Sequence, residues 1–121
     1  MMIRRICATT FLAAAVLGTC AATGNAAGPP EQDRFLEESR QSSPSLYWWT
    51  DERMLEIGYL SCDAFDNRGA TVETLKGIIA IGAEENAEVE LRVLAGTASE
   101  HLCAQYEVPV AHALAQIDNG A

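Results

Sequence analysis

The sequence predicts a small all-α bundle of four to five helices stapled by one disulfide. Three observations carry that expectation. Apolar residues recur at intervals of three and four through most of the second half of the chain, and strand-type alternation of Val, Ile and Thr is absent. The third is a pair of cysteines left in a chain that its N-terminus addresses to an oxidising compartment. With 121 residues there is room for one domain. Hydrophobic residues make up 49% and charged residues 21%, too apolar a balance for a disordered acidic chain. No internal repeat of 20 to 50 residues is visible.

The chain opens as an address. Met1 to Arg5 carries two arginines, and residues 6–18 run through Ile6, Phe11, Leu12, Val16 and Leu17 with small residues between them, the charged and hydrophobic regions of a secretory signal. A helix over that run spans about 20 Å, short of the ~30 Å hydrocarbon core of a bilayer. Gly24 and Ala26 suit the −3 and −1 positions of a cleavage site, so residues 1–26 are expected to be removed. Leu17-Gly18-Thr19-Cys20 also resembles a bacterial lipoprotein box, which leaves lipidation of Cys20 as an alternative. Thr19 stands there where Gly or Ala is usual. Arg4-Arg5 lacks the flanking residues of a twin-arginine signal.

Residues 27–32, with Gly28-Pro29-Pro30, are read as a flexible spacer, residues 33–106 as the helical disulfide-containing domain, and residues 107–121 as a C-terminal extension with a short helix. A first short helix over residues 31–41 uses Phe35 and Leu36 as anchors. Ser42-Ser43-Pro44-Ser45 breaks it. Thr50 followed by Asp51 and Glu52 is a helix N-cap with carboxylates in the first turn, and Leu55, Gly58, Cys62 and Phe65 then recur at helical spacing until Asn67 to Gly69 supplies a stop. Thr71 caps a third helix with Val72, Leu75, Ile79 and Gly82 on one face and Ile78 beside them. Asn86 is expected to cap a fourth, whose stripe is Leu91, Leu94, Ala95, Ala98 and Leu102. Pro109 permits a last helix with Val110, Leu114 and Ile117 on its apolar face.

Charge narrows the partners. The full chain carries −9, and loss of Arg4 and Arg5 with the signal leaves six basic and 17 acidic residues, or −11. Such a surface repels nucleic acid and anionic lipid. After the signal, no hydrophobic stretch is long enough to span a membrane, so no transmembrane helix is expected in the mature protein.

Cleavage after Cys20, or lipidation of it, leaves Cys62 and Cys103, and an even count after export favours a bridge between them. A ring of about 42 residues closed in this way stabilises by roughly 4 kcal/mol. Two buried free thiols are the alternative. A zinc site would need more than one nearby imidazole, His101, and a C-x-x-C pair, which is lacking.

The order Asp33-Arg34-Phe35-Leu36, Gly58-Tyr59-Leu60-Ser61-Cys62-Asp63, Gly69-Ala70-Thr71 and Leu102-Cys103 resembles a family of small exported actinobacterial proteins, especially mycobacterial ones, catalogued as domain of unknown function seven-three-two. The resemblance spans residues 33–106. It implies a helical fold, export, a Cys62 to Cys103 bridge and no established activity. The chain departs from it at Ala104, where the family often has Pro, in its heavier Tyr47-Trp48-Trp49 cluster, and in residues 107–121.

Catalytic chemistry is thin. His101 and Cys103 lie about 200° apart on a helix and do not meet locally, and a disulfide would consume the nucleophile. Glu84, Glu85, Glu88 and Glu90 lack calcium-loop spacing and read as a solvated helix start. No nucleophile elbow, phosphate loop or dinucleotide fingerprint is present, so neither metal nor cofactor is expected, and no enzyme beyond an unrecognised hydrolase. The remaining surface candidate is Tyr47-Trp48-Trp49, which either plugs the open end of the bundle or anchors a partner. Burial with at least one ring partly exposed is the expectation. Function is therefore read as a non-catalytic interaction module, secreted or in the cell envelope, that meets an envelope or host protein through Tyr47, Trp48 and Trp49. A small-ligand or lipid carrier, lipid-anchored if Cys20 is modified, is the alternative from a different class, and it requires an enclosed apolar cavity of about 300 Å³ or more.

Intact-mass measurement on exported protein is expected to find a chain beginning at Ala27. A species retaining residues 1–26, or one beginning at a lipidated Cys20, contradicts that processing.

Overall fold

Five α-helices joined by short 3₁₀ turns make up the computed structural model, which describes residues 28–121: α1 (Pro29–Ser42), α2 (Asp51–Arg68), α3 (Val72–Ile81), α4 (Glu88–His101) and α5 (Glu107–Asp118). The 3₁₀ turns are Pro44–Trp48, Gly82–Glu85 and Ala104–Tyr106. There is no strand among the described residues, and no helix there is long and apolar enough to cross a membrane. Residues 1–26, expected to be a cleaved signal, Cys20 within them, the alternative lipidation site, and Ala27 lie outside the described residues.

The centre of the bundle is α4, which packs against α1, α2, α3 and α5. Its expected stripe is the one it buries: Leu91, Leu94, Ala95, Ala98 and, just past its end, Leu102. Alanines at two of those positions let neighbouring helices come close. Around α4 lie Phe35 and Leu36 of α1, Met54, Ile57 and Phe65 of α2, Leu75 and Ile78 of α3, and Val110 and Ala113 of α5.

The caps obey the sequence where a side chain makes them. Thr50 Oγ1 accepts the Arg53 amide at 3.1 Å at the start of α2, and Thr71 Oγ1 accepts the Thr74 amide at 3.2 Å at the start of α3. Gly69 ends α2 with φ +93°, a conformation open to glycine.

Several expectations are corrected. Pro29 and Pro30 do not form a spacer but occupy the first two positions of α1, where the missing amides would have had no helical partner. Glu31 reaches back to accept the Gly28 amide at 3.1 Å, which closes the helix start. In α2 the expected Gly58, Cys62 and Phe65 are buried, but in the first turn Met54 is buried and Leu55 only half-buried; in α3 Leu75 is buried as expected while Ile78 is buried ahead of Ile79, because packing on α4 selects among adjacent apolar residues. Asn86 is not the N-cap of α4, a position Ala87 holds: it ends the Gly82–Glu85 turn in the left-handed conformation at φ +55°, which a short amide side chain tolerates, and turns the chain into α4. Nor is the C-terminal segment an appendage. Val110 and Ala113 are buried, and α5 packs on α3 and α4, with Arg92 and Asp118 paired at 2.6 Å across the outer edge.

Cys62 and Cys103 are bridged, with Cα atoms 6.0 Å apart. The bridge ties the middle of α2 to the chain just beyond α4. One turn before Cys62, Gly58 allows the approach: a Cβ there would stand 2.7 Å from both Leu102 Cδ1 and Phe35 Cζ. Three elements therefore meet on one missing side chain.

Gly58→Ala is expected to cost about 1 to 2 kcal/mol, an overpacking penalty partly offset by better helix propensity. Gly77→Ala in α3, where an added Cβ meets nothing within 4 Å, is expected to be neutral or to stabilise by up to about 1 kcal/mol. Urea unfolding of the two variants measures the contrast, and equal effects contradict the close approach.

Candidate partner-binding surface

The aromatic segment begins where α1 stops. Ser43 is extended, Pro44 starts a single 3₁₀ turn, and Leu46 in that turn is fully buried. Leu46 rather than an aromatic ring is the plug at this end of the bundle. Burying it contributes roughly 1.5 to 3 kcal/mol, and in the next two positions the turn throws Tyr47 and Trp48 outward.

Tyr47 is 62% and Trp48 90% exposed. Exposure thus goes further than burial with one ring partly exposed: two of the three rings face outward, and the three do not act as one unit. Trp49 packs against the core, with the Arg53 guanidinium 5.4 Å from its ring centroid. The backbone accounts for this: the 3₁₀ turn ends at Trp48, the Trp49 amide donates to the Leu46 carbonyl at 3.0 Å, and with Leu46 buried and Trp49 packed on the core the two residues between them face outward.

Arg40, in the last turn of α1, holds this arrangement. Its Nε donates to the Leu46 carbonyl at 3.2 Å, one terminal nitrogen to the Trp49 carbonyl at 2.7 Å, and the other pairs with Asp51 at 2.8 Å. One planar guanidinium thereby joins the end of α1, both inner anchors of the turn and the start of α2. Lysine has no such fork. Arg40 carried no signal in the sequence, being one basic residue near the end of a polar helix.

Trp48, Trp49, Thr50, Arg53, Glu85 and Glu90 are among the residues lining an open cleft of about 450 Å³. Arg53 reaches Glu85 at 3.4 Å, and Ser45 donates a hydrogen bond to Glu90. Two of the four glutamates considered for calcium are thus at the cleft and engaged by protein groups. A second open groove, about 690 Å³, runs between the start of α3 and α5 and includes Lys76 and His112.

His101 sits elsewhere. Its Nε2 lies 2.9 Å from Glu38 of α1 and 3.7 Å from Glu100, and donor atoms of all three fall within 4.8 Å of one another. Cys103 is not its partner, being held in the bridge. The two carboxyls lie close together: a hydrogen bond from protonated Glu100 to Glu38, with burial, pushes Glu100 up to about 7, while that bond and then His101 hold Glu38 below the ordinary carboxylate range. The contact joins α1 to α4 across 62 residues of sequence, a distance no local pattern bridges.

No family model matches the chain. Comparison with curated proteins and with solved structures finds no match either.

Because Glu100 binds its proton more tightly folded than unfolded, its contribution to stability is present below its ordinary value of 4.5 and is lost as pH rises through about 7. Glu38 works in the opposite sense, losing stabilisation as pH falls. Glu100→Gln keeps a permanent donor toward Glu38, so melting temperature for wild type is expected to fall relative to this variant between about pH 5 and pH 8. Parallel profiles contradict the shared proton.

Proposed function

We propose that the chain is an exported, non-catalytic interaction module that recognises a partner protein at the cell envelope or host interface through Tyr47 and Trp48. The observation that carries this reading is an indole 90% exposed on a turn clamped by Arg40. Trp is large and has few rotatable bonds, so a ring presented on an ordered turn gains contact area on binding at small entropic cost. Export rests on the signal-like N-terminus and is in keeping with a bridged cysteine pair. The resemblance to exported actinobacterial proteins points the same way.

A non-catalytic role is supported by the Cys62–Cys103 bridge, which leaves neither sulfur as a free nucleophile. Recognition is favoured over carriage because both grooves described open to solvent, and the space around α4 is filled by side chains that are fully or nearly fully buried.

Trp48→Ala is expected to leave the melting temperature nearly unchanged, since the ring touches little, and to cost about 1 to 4 kcal/mol of partner binding. Retention of envelope proteins on immobilised wild type and variant, with thermal melts of both, tests it. Destabilisation without loss of a specific retained protein returns the turn to a structural role.

A further inference from the structure

The cleft beside Trp48 has a charge pattern that narrows the partner. Its walls present two indoles, two carboxylates and a single guanidinium. That guanidinium, Arg53, lies over Trp49 and reaches Glu85, so the cleft already displays how it receives a cation: an indole face on one side and a carboxylate on the other. Trp48 offers the same kind of face and is 90% exposed. Glu90 lies in the same cleft, and exposed Glu84 and Glu88 adjoin the lining residues in sequence. The chain as a whole is strongly acidic, which adds a long-range field of the same sign.

We infer that the occupant of this cleft is a basic peptide segment of the partner, with an arginine side chain laid on Trp48 and directed toward Glu85 and Glu90. The inference rests on the reading of the aromatic turn as a recognition surface and adds the chemistry of what it recognises. Arginine suits the site better than lysine because a planar guanidinium stacks on an indole while its edge still donates to carboxylates. In the unbound protein Arg53 partly satisfies Glu85, at a long 3.4 Å, and so competes with the incoming cation. A consequence specific to this arrangement is that removing a charge from the protein's own Arg53 strengthens binding.

The probe is a 12-residue peptide of arginines spaced by glycine and serine, titrated calorimetrically into the chain from residue 27 onward. Two controls accompany it: the same peptide with citrulline for arginine, which keeps the shape without the charge, and an N-acetylglucosamine oligomer, which also stacks on aromatic rings. The arginine peptide is expected to bind with a salt-weakened affinity and the citrulline peptide about tenfold more weakly or not at all. Trp48→Ala should weaken binding about tenfold, the double change Glu85→Gln with Glu90→Gln about three- to tenfold, and Arg53→Gln should tighten it about two- to fivefold.

Equal affinity for the arginine and citrulline peptides overturns the inference, as does preference for the sugar. Arginine-peptide binding untouched by Trp48→Ala also overturns it, showing an acidic surface that attracts any polycation. If the peptide fails while retention of an envelope protein still depends on Trp48, the recognition reading stands and its cationic chemistry falls. If Trp48→Ala is silent in both experiments, both fall.

Discussion

The close approach of three chain segments at Gly58 is the constraint on which the rest of the bundle depends. Phe35 from α1 and Leu102 from beyond α4 occupy the space a side chain at that position would take, and Cys62, one turn on, is bridged to the residue after Leu102. Glycine in a helix interior costs about 1 kcal/mol relative to alanine. Here that cost is offset by burial of a phenylalanine and a leucine against backbone, and by a cross-link that removes loop entropy from the unfolded chain. Ala95 and Ala98 extend the same logic along α4 by letting its neighbours close in. Ser39 and Thr97 use the short α1 to α4 distance for a buried hydrogen bond between hydroxyls, which satisfies polar groups that would otherwise be costly to bury.

That junction also decides what the aromatic turn can do. With α1 and α2 both held against α4, the chain between them has only Ser43 to Thr50 in which to reverse, and a 3₁₀ turn anchored by Leu46 and Trp49 does so. The two intervening rings are then excluded from the core by geometry rather than by lack of hydrophobicity. Arg40 converts the turn from a connection into a platform, because it binds the carbonyls of both anchoring residues. Electrostatics is arranged locally in the same way: Arg53 lies over the Trp49 ring and reaches Glu85, so one guanidinium meets both an indole face and a carboxylate beside the turn.

Much of the fold was legible in the sequence because its signals are local. Thr50 and Thr71 cap helices as their type and the following carboxylates imply, and the α4 stripe from Leu91 to Leu102 is buried as its spacing implies. The errors share one cause, which is that tertiary packing chooses among local options. Pro29 and Pro30 are compatible with either a spacer or a first helical turn, and Met54 or Leu55 could each face inward until α4 sets the axis. Asn86 can cap a helix or adopt a left-handed turn. At the site, residue type marked Tyr47 to Trp49 as notable, but only the anchoring of Leu46 tells which rings point out. Arg40 and the Glu38, Glu100, His101 contact depend on partners brought together by folding, and no spacing rule could reveal them.

At the aromatic turn an ordered backbone presents a bare indole. Amide relaxation by NMR across residues 44–49, together with acrylamide quenching of a Trp49→Phe variant in which Trp48 is the sole tryptophan, tests it most directly. Backbone order parameters of ~0.85, matching the helices, and quenching of Trp48 close to that of free indole are expected. Order parameters below ~0.6 through the turn, or an indole shielded from the quencher, would contradict it.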